Sequence, residues 1–237
     1  MSLPSRANDI LPTKIPLEDT EPYGARDVPI APFFAELGAD ADCYAKLRYP
    51  GGAGIFRRAS LWLRSPGLLV LAVHRVHQRF LAARGRDGWT PATIGLRMLL
   101  AVGWPLRVFI AKSDVAPGAV IARGVYLSDR GQLILGPNRI GSGTLIHDRV
   151  IIGMRAGSKD RPTIGENVWI GPDCVIYGGI KVGTGATVLP GTVLSMDVPA
   201  DTVVGGNPAT IVRENFDNSA LRRTLAIDID LDVIAPR

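Results

Sequence analysis

The sequence predicts a mainly β protein built as a parallel β-helix, preceded by a small α-helical segment. Three observations carry this. First, aliphatic residues recur every six positions: Ile164, Ile170, Ile176, Val182, Val188 and Leu194 without a miss, with Ile134, Ile140, Ile146 and Ile152 upstream and Val115, Ile121 and Leu127 before them. Second, glycine directly follows the aliphatic position at Gly141, Gly153, Gly165, Gly171 and Gly183. Third, the step is six, whereas an ordinary half-buried strand alternates with a period of two. A six-residue repeat is one short strand plus a corner, and three repeats close one triangular coil. A single coil cannot bury its own aliphatic residues, so coils stack and share one apolar column. The reading places one added residue between Leu127 and Ile134, so that Ile134 points inward and a coil takes 18 residues from Ile134 to Ile152.

Four regions follow. Residues 1–45 are rich in proline and acids and are expected to form an irregular acidic arm. Residues 46–113 form a basic α-helical segment, residues 114–212 the β-helix and residues 213–237 a C-terminal tail. Within the helical segment, Gly51 to Gly54 mark a hinge. One helix begins at Pro66 with an apolar stripe of Leu69, Ala72, Val73, Val76, Phe80 and Ala83, and ends at Gly85 and Gly88. A second takes Thr90 as N-cap and Pro91 as first residue, and kinks or stops at Trp104-Pro105. Ser219 to Thr224 suit a short helix in the tail.

The formal charge of +5 hides an asymmetry. From Lys46 to Lys112 there are twelve Lys/Arg and one acid, Asp87, giving +11, while residues 1–45 carry three basic and eight acidic side chains, giving −5. Such a block needs an anionic partner or an intramolecular one. Two readings stand for Ala92–Ala111: a packing helix, or an interfacial segment whose Arg97 and Arg107 meet the headgroups of an anionic membrane surface. Arg97, Arg107 and Pro105 interrupt it too much for a membrane span. With no recognised motif or aromatic interleaving, the block does not read as nucleic-acid binding. Cys43 and Cys174 are too few for a disulfide framework and read as structural thiols. The N-terminus lacks a basic start followed by an apolar core, so it does not read as a signal peptide, and a cytoplasmic location is expected.

The run from Thr163 to Val212, TIGENVWIGPDCVIYGGIKVGTGATVLPGTVLSMDVPADTVVGGNPATIV, resembles the end of a hexapeptide-repeat acyltransferase. Upstream, Tyr49-Pro50-Gly51 and the stretch from Val73 to His77 resemble the end of the helical domain of serine acetyltransferases. The resemblance implies a left-handed β-helix, acetyl-coenzyme A as acyl donor, no metal, and a homotrimer with its groove between subunits. It also sets a register for the chemistry. The Leu-Asp-His of serine acetyltransferases falls on Leu127-Ser128-Asp129, so Asp129 stands in the slot of their catalytic histidine. Their second functional histidine, which precedes a proline, is matched by Arg161 before Pro162.

Acyl transfer to a hydroxyl needs a base, and histidine is best matched to neutral pH. His74 and His77 belong to the helical segment and read as structural, which leaves His147 as the imidazole of the β-helix and candidate base. Register places Ser128 one coil below it, with Asp129 diagonal; Asp129 or Asp148 is expected to fix the imidazole tautomer. Because His147 stands one step past an inward residue, its removal is expected to leave the fold untouched. The segment Met154–Pro162 replaces a repeat and is expected to loop out. Its Arg155 and Lys159 suit coenzyme A phosphates, or equally well are solvated loop charges. By resemblance to sugar acetyltransferases, Pro172, Pro190, Ser195 and Met196 would line the pantetheine arm and Arg213 would meet phosphate.

The resulting expectation is a coenzyme A-dependent O-acetyltransferase acting on a sugar hydroxyl in exopolysaccharide or surface-glycan synthesis. Serine O-acetyltransferase is the alternative enzyme, and a non-catalytic β-helix that binds or scaffolds is the alternative class.

Overall fold

A computed structural model describes residues 33–109 and 111–225. The N-terminal stretch 1–32 and the last residues, 226–237, lie outside the described residues. Among the described residues the order of elements is four helices, then fifteen short strands and a 3-10 turn at Leu221–Arg223.

The β-helix has three faces, each a stack of strands from successive coils. Face A is built from Asp114–Val115, Ile134–Leu135, Ile151–Gly153, Val175–Tyr177 and Val193–Leu194. Face B takes Val120–Ile121, Arg139–Ile140, Thr163–Ile164 and Lys181–Val182. Face C takes Tyr126–Leu127, Leu145–Ile146, Trp169–Ile170, Thr187–Val188 and Val203–Gly205, and ends on the antiparallel strand Thr210–Arg213. All other pairings between these strands are parallel. The fold is the left-handed β-helix of hexapeptide repeats. The inward column, Val115 to Leu194, is at most 3 % exposed throughout. The glycines after the aliphatic position on the face B corner have a steric cause: a Cβ at Gly141 or Gly165 would run into the backbone of the coil stacked on it.

The register departs from expectation in one coil. Leu135, not Ile134, points inward and pairs with Ile152, while Ile134 pairs with Ile151 and is exposed. The turn after Leu127 is therefore one residue longer than the sequence reading allowed, and the turn before Ile140 one shorter. Both residues are aliphatic, so composition could not decide between them.

Four helices close the N-terminal end: α1 (Phe33–Arg48), α2 (Ile55–Arg64), α3 (Pro66–Asp87) and α4 (Pro91–Phe109). The region 33–45, expected to be irregular, is helical; its acids hid an apolar spacing in which Tyr44, Ala45 and Leu47 are buried. Helix α2 was not anticipated either. Pro66 opens α3 as expected, whereas Gly85 lies inside the helix and Gly88, at φ 67°, ends it. Thr90 caps α4, accepting the Thr93 N–H at 3.2 Å, and the Thr93 hydroxyl oxygen accepts the Thr90 N–H at 2.7 Å. Of the kink or stop expected at Trp104-Pro105, the stop does not occur: the helix continues through Pro105. The carbonyl that Pro105 leaves without a donor belongs to exposed Ala101, which water can reach.

The helices satisfy the open edge of the first coil. Strand edges present unpaired N–H and C=O groups, and here side chains take them. The Tyr44 hydroxyl donates to the Leu127 carbonyl at 2.6 Å and accepts the Leu127 N–H at 3.1 Å. His74 Nε2 lies 2.9 Å from the Ala119 carbonyl, to which Gln78 also donates. Arg75 donates to the carbonyls of Ile121 and Ala122, and Asp40 accepts the Gly124 N–H at 2.8 Å. His74 is thus placed as an edge cap. The basic block is partly answered within the chain: α1 supplies Glu36 to Arg79, Asp40 to Arg75 and Asp42 to Arg58.

Candidate functional site

Two corners flank face A. The corner entering it carries the residues just past the inward positions of face C, stacked rung on rung: Ser128-Asp129, His147-Asp148, Gly171-Pro172 and Leu189-Pro190. Backbone bonds fix that stack, with Ser128 N–H donating to Ile146, His147 to Ile170 and Gly171 to Val188. The corner leaving face A carries the loop from Met154 to Pro162, which does bulge from the coil, and the segment from Ser195 to Asp197. Between them, Ile134 and Ile151 are exposed and Val175 and Val193 half-buried, so face A turns an aliphatic column outward.

His147 is 3 % exposed and packs against Trp169, ring centroids 4.8 Å apart. Its Nε2 is buried without a hydrogen-bond partner among the described residues. Burial pushes its pKa down from 6.5 to about 4, against the attraction of Asp148 and with a contribution from Arg130. The imidazole is therefore neutral at physiological pH, the form a base requires. Trp169 Nε1 and Thr187 Oγ1, on adjacent rungs of face C, are likewise buried without partners among the described residues. The sequence reading missed Trp169, although its position one residue before inward Ile170 already placed it diagonal to His147.

The two carboxylates fare differently from expectation. Asp129 accepts the Gly67 N–H at 3.2 Å and lies 3.6 Å from Arg48, while Ser65 also bonds to it. Burial raises its pKa, opposed by those three partners. It serves as an N-terminal cap of α3, and no hydrogen bond joins it to His147 among the described residues. Asp148 is the carboxylate that acts on His147 electrostatically, and its hydrogen bond goes to Arg149 at 3.1 Å. Arg149 in turn grips Asp173 with two bonds of 2.5 and 2.6 Å. The expectation that His147 can be removed without structural effect treated the ring as peripheral, whereas it is buried against Trp169.

Of the residues expected to bind coenzyme A, Pro172 and Pro190 share the corner of His147. Pro172 is buried and Pro190 exposed. Arg155 and Lys159 are exposed on the far corner, with the Arg155 guanidinium 5.6 Å from the centre of the Tyr177 ring. Ser195 and Met196 are half-buried on that same corner. Arg213 ends the antiparallel strand, 5.5 Å from the centre of the Phe216 ring. One chain therefore divides the set between the two edges of face A, with Arg213 apart at the end of face C. Among the described residues, no three His, Cys, Asp or Glu side chains form a group able to hold a metal.

Comparison with known proteins narrows this. Residues 161–195 match the bacterial transferase hexapeptide (six repeats) family. The repeats and the fold around them are similar to those of serine acetyltransferases. The chain is 35% identical over 121 residues to serine acetyltransferase 2 of Arabidopsis thaliana, covering 49% of this chain and 38% of the relative. To serine acetyltransferase of Synechocystis sp. it is 31% identical over 150 residues, covering 62% and 56%. Among solved structures, the soybean serine acetyltransferase apoenzyme aligns with a TM-score of 0.58 at 28% identity, covering 76% of this chain and 69% of that one. The chain thus spans between a third and three-fifths of the length of these two curated relatives.

Proposed function

We propose that this protein is a coenzyme A-dependent O-acetyltransferase whose base is His147. The observation that carries the reading is a neutral, buried imidazole with an unpartnered Nε2 on the corner shared with Pro172 and Pro190. In this reaction the His147 imidazole takes the proton of the acceptor hydroxyl. The oxygen attacks the acetyl carbonyl of the thioester, a new C–O bond forms, the C–S bond breaks, and coenzyme A leaves as thiolate to recover the proton. A backbone N–H of the corner holds the oxyanion. Asp148, itself held by Arg149, stabilises the imidazolium that forms in passing.

The similar proteins favour serine as the acceptor. One observation favours a sugar hydroxyl instead: the slot matched to the catalytic histidine of serine acetyltransferases holds Asp129, committed to capping α3, and the second histidine slot holds Arg161. Completing the site across a homotrimer would bring the cationic corner of one copy to the His147 corner of the next. That arrangement suits the outward aliphatic column of face A. A basic helical segment suits a location at an anionic membrane surface.

The test is transfer from acetyl-coenzyme A to L-serine and to a panel of glycans, with wild type and His147→Gln. Loss of a general base lowers the rate about 100- to 10,000-fold, and coenzyme A binding should persist. Serine turnover with inert glycans would decide for the serine acceptor. Undiminished turnover by His147→Gln would remove His147 from the mechanism, and absence of transfer to any hydroxyl would leave a binding or scaffolding β-helix.

A further inference from the structure

Helix α2 is amphipathic, with its apolar face turned the wrong way for a soluble helix. Ile55, Phe56, Ala59, Trp62 and Leu63 recur at the spacing of one helical stripe, and all five are exposed. Phe56 is 88% and Leu63 91% accessible, while Leu61 alone is buried against the rest of the protein. The rest of the helix surface carries Arg57, Arg58 and Arg64. Helix α4 repeats the pattern. Thr93 and Leu100 are buried, with Gly103 held against the methyl groups of Val73 on α3. The opposite side carries Ile94, Met98, Val102 and Phe109 outward along the length of the helix, with Arg97 exposed beside them.

We propose that the outward apolar stripes of α2 and α4, with the arginines beside them, are a docking surface for an anionic lipid bilayer. This deepens the peripheral-membrane part of the proposed function by naming the surface, and it stands independently of the acceptor. Three features select that occupant. The stripes sit in a segment whose formal charge is +11, twelve basic residues against one acid, so a second copy of the same face would meet like charge. Helix α1 has already neutralised Arg58, Arg75 and Arg79, whereas Arg64 and Arg97 have no carboxylate partner among the described residues; the side chain of Arg107 lies outside the described set. No described helix is long and apolar enough to cross a membrane, which fits a helix lying in the interface with its apolar side chains among the acyl chains. Trp62 and Trp89, 38% and 58% exposed, are residues suited to the headgroup level.

The experiment is sedimentation of the full chain with vesicles of phosphatidylcholine alone or mixed with phosphatidylglycerol. Vesicle-free transfer activity and mass by sedimentation equilibrium are measured on the same samples. Wild type should bind the mixed vesicles and not the neutral ones. A Phe56→Ser/Leu63→Ser double variant should bind at least about tenfold more weakly, and so should Arg64→Gln/Arg97→Gln. All three proteins should keep the same mass, helical content and vesicle-free activity, since the substituted side chains are exposed. Failure of wild type to bind mixed vesicles, or binding indifferent to the stripe, overturns the proposal. A smaller assembly in the Phe56→Ser/Leu63→Ser variant would assign the stripe to a second copy instead. Intact transfer with no lipid binding refutes only this surface; lipid binding with no transfer refutes only the enzyme.

Discussion

The hydroxyl of Tyr44 serves both backbone groups of Leu127, donating to its carbonyl at 2.6 Å and accepting its N–H at 3.1 Å. Leu127 lies on the terminal strand of face C, where the next coil would have supplied those partners. One side chain therefore stands in for a missing strand, and α1 is tied to the β-helix through it. Tyr44→Phe keeps the ring and removes only the oxygen. Leaving buried polar groups unpartnered costs about 1–3 kcal/mol, so the variant should lose stability on that scale in urea unfolding at unchanged slope. Equal midpoints would show that water replaces the hydroxyl.

Gly67 meets the same point from α3. A Cβ there would overlap the Leu127 carbonyl oxygen and crowd the Tyr44 hydroxyl. Gly67→Ala should push α3 off its seat and disturb the Gly67 N–H bond to Asp129. Overpacking of this kind costs about 1–3 kcal/mol. Because both changes act on one junction, the double variant with Tyr44→Phe should fall short of the sum of the singles. Strict additivity in a double-mutant cycle would place the two effects at separate sites.

The β-helix was legible because its period is set by a repeated steric problem, solved the same way at Ile164, Ile170, Ile176, Val182, Val188 and Leu194. It became illegible where two adjacent aliphatics competed for one slot, as at Ile134 and Leu135. Helix α1 was obscured because Asp40, buried and paired with Arg75, looks from sequence like a solvated acid. The apolar stripe of α2 was present in the sequence, but facing it outward required knowing that Leu61 alone packs inward. At the site, register alone put His147 above Ser128, which the backbone pairing of Leu127 with Ile146 bears out. The diversion of Asp129 to α3 depends on a contact between residues 62 apart in sequence, which no local pattern announces.

Both cysteines should be inert in the native protein. Burial raises Cys174 to about 12, where its thiol donates to the Leu189 carbonyl at 3.1 Å. Burial raises Cys43 to about 11, with Asp40 adding to the shift. The thiolate is the reactive form, and near pH 8 its population is about a thousandth at Cys43 and less at Cys174. A chromogenic disulfide reagent should therefore label neither thiol promptly in native protein and both in denaturant, with Cys174 following global unfolding. Rapid native labelling of Cys174 would mean that the upper coils open locally.

His147 links the fold to pH. Burial holds the imidazole neutral with a pKa of about 4 in the folded chain, against 6.5 ordinarily. Between those values the unfolded chain binds a proton that the folded chain refuses. The stability due to this histidine is thus complete above pH 6.5 and is lost as pH falls toward 4. The shift corresponds to about 3 kcal/mol in all. Buried Asp40 and Asp129, whose pKa values are raised, push in the opposite sense over the acidic range, so the informative quantity is the difference between wild type and His147→Gln. That difference should shrink steadily from pH 7 to pH 4 as the wild type loses its advantage over a side chain that does not titrate. The same residue sets the acid limb of catalysis. If the free enzyme reacts through neutral His147, kcat/KM should hold its level through pH 6 and fall only near pH 4. A limb at pH 6.5 together with a pH-independent stability difference would mean that His147 is solvated in solution, and the base would then work in an open groove rather than beneath Trp169.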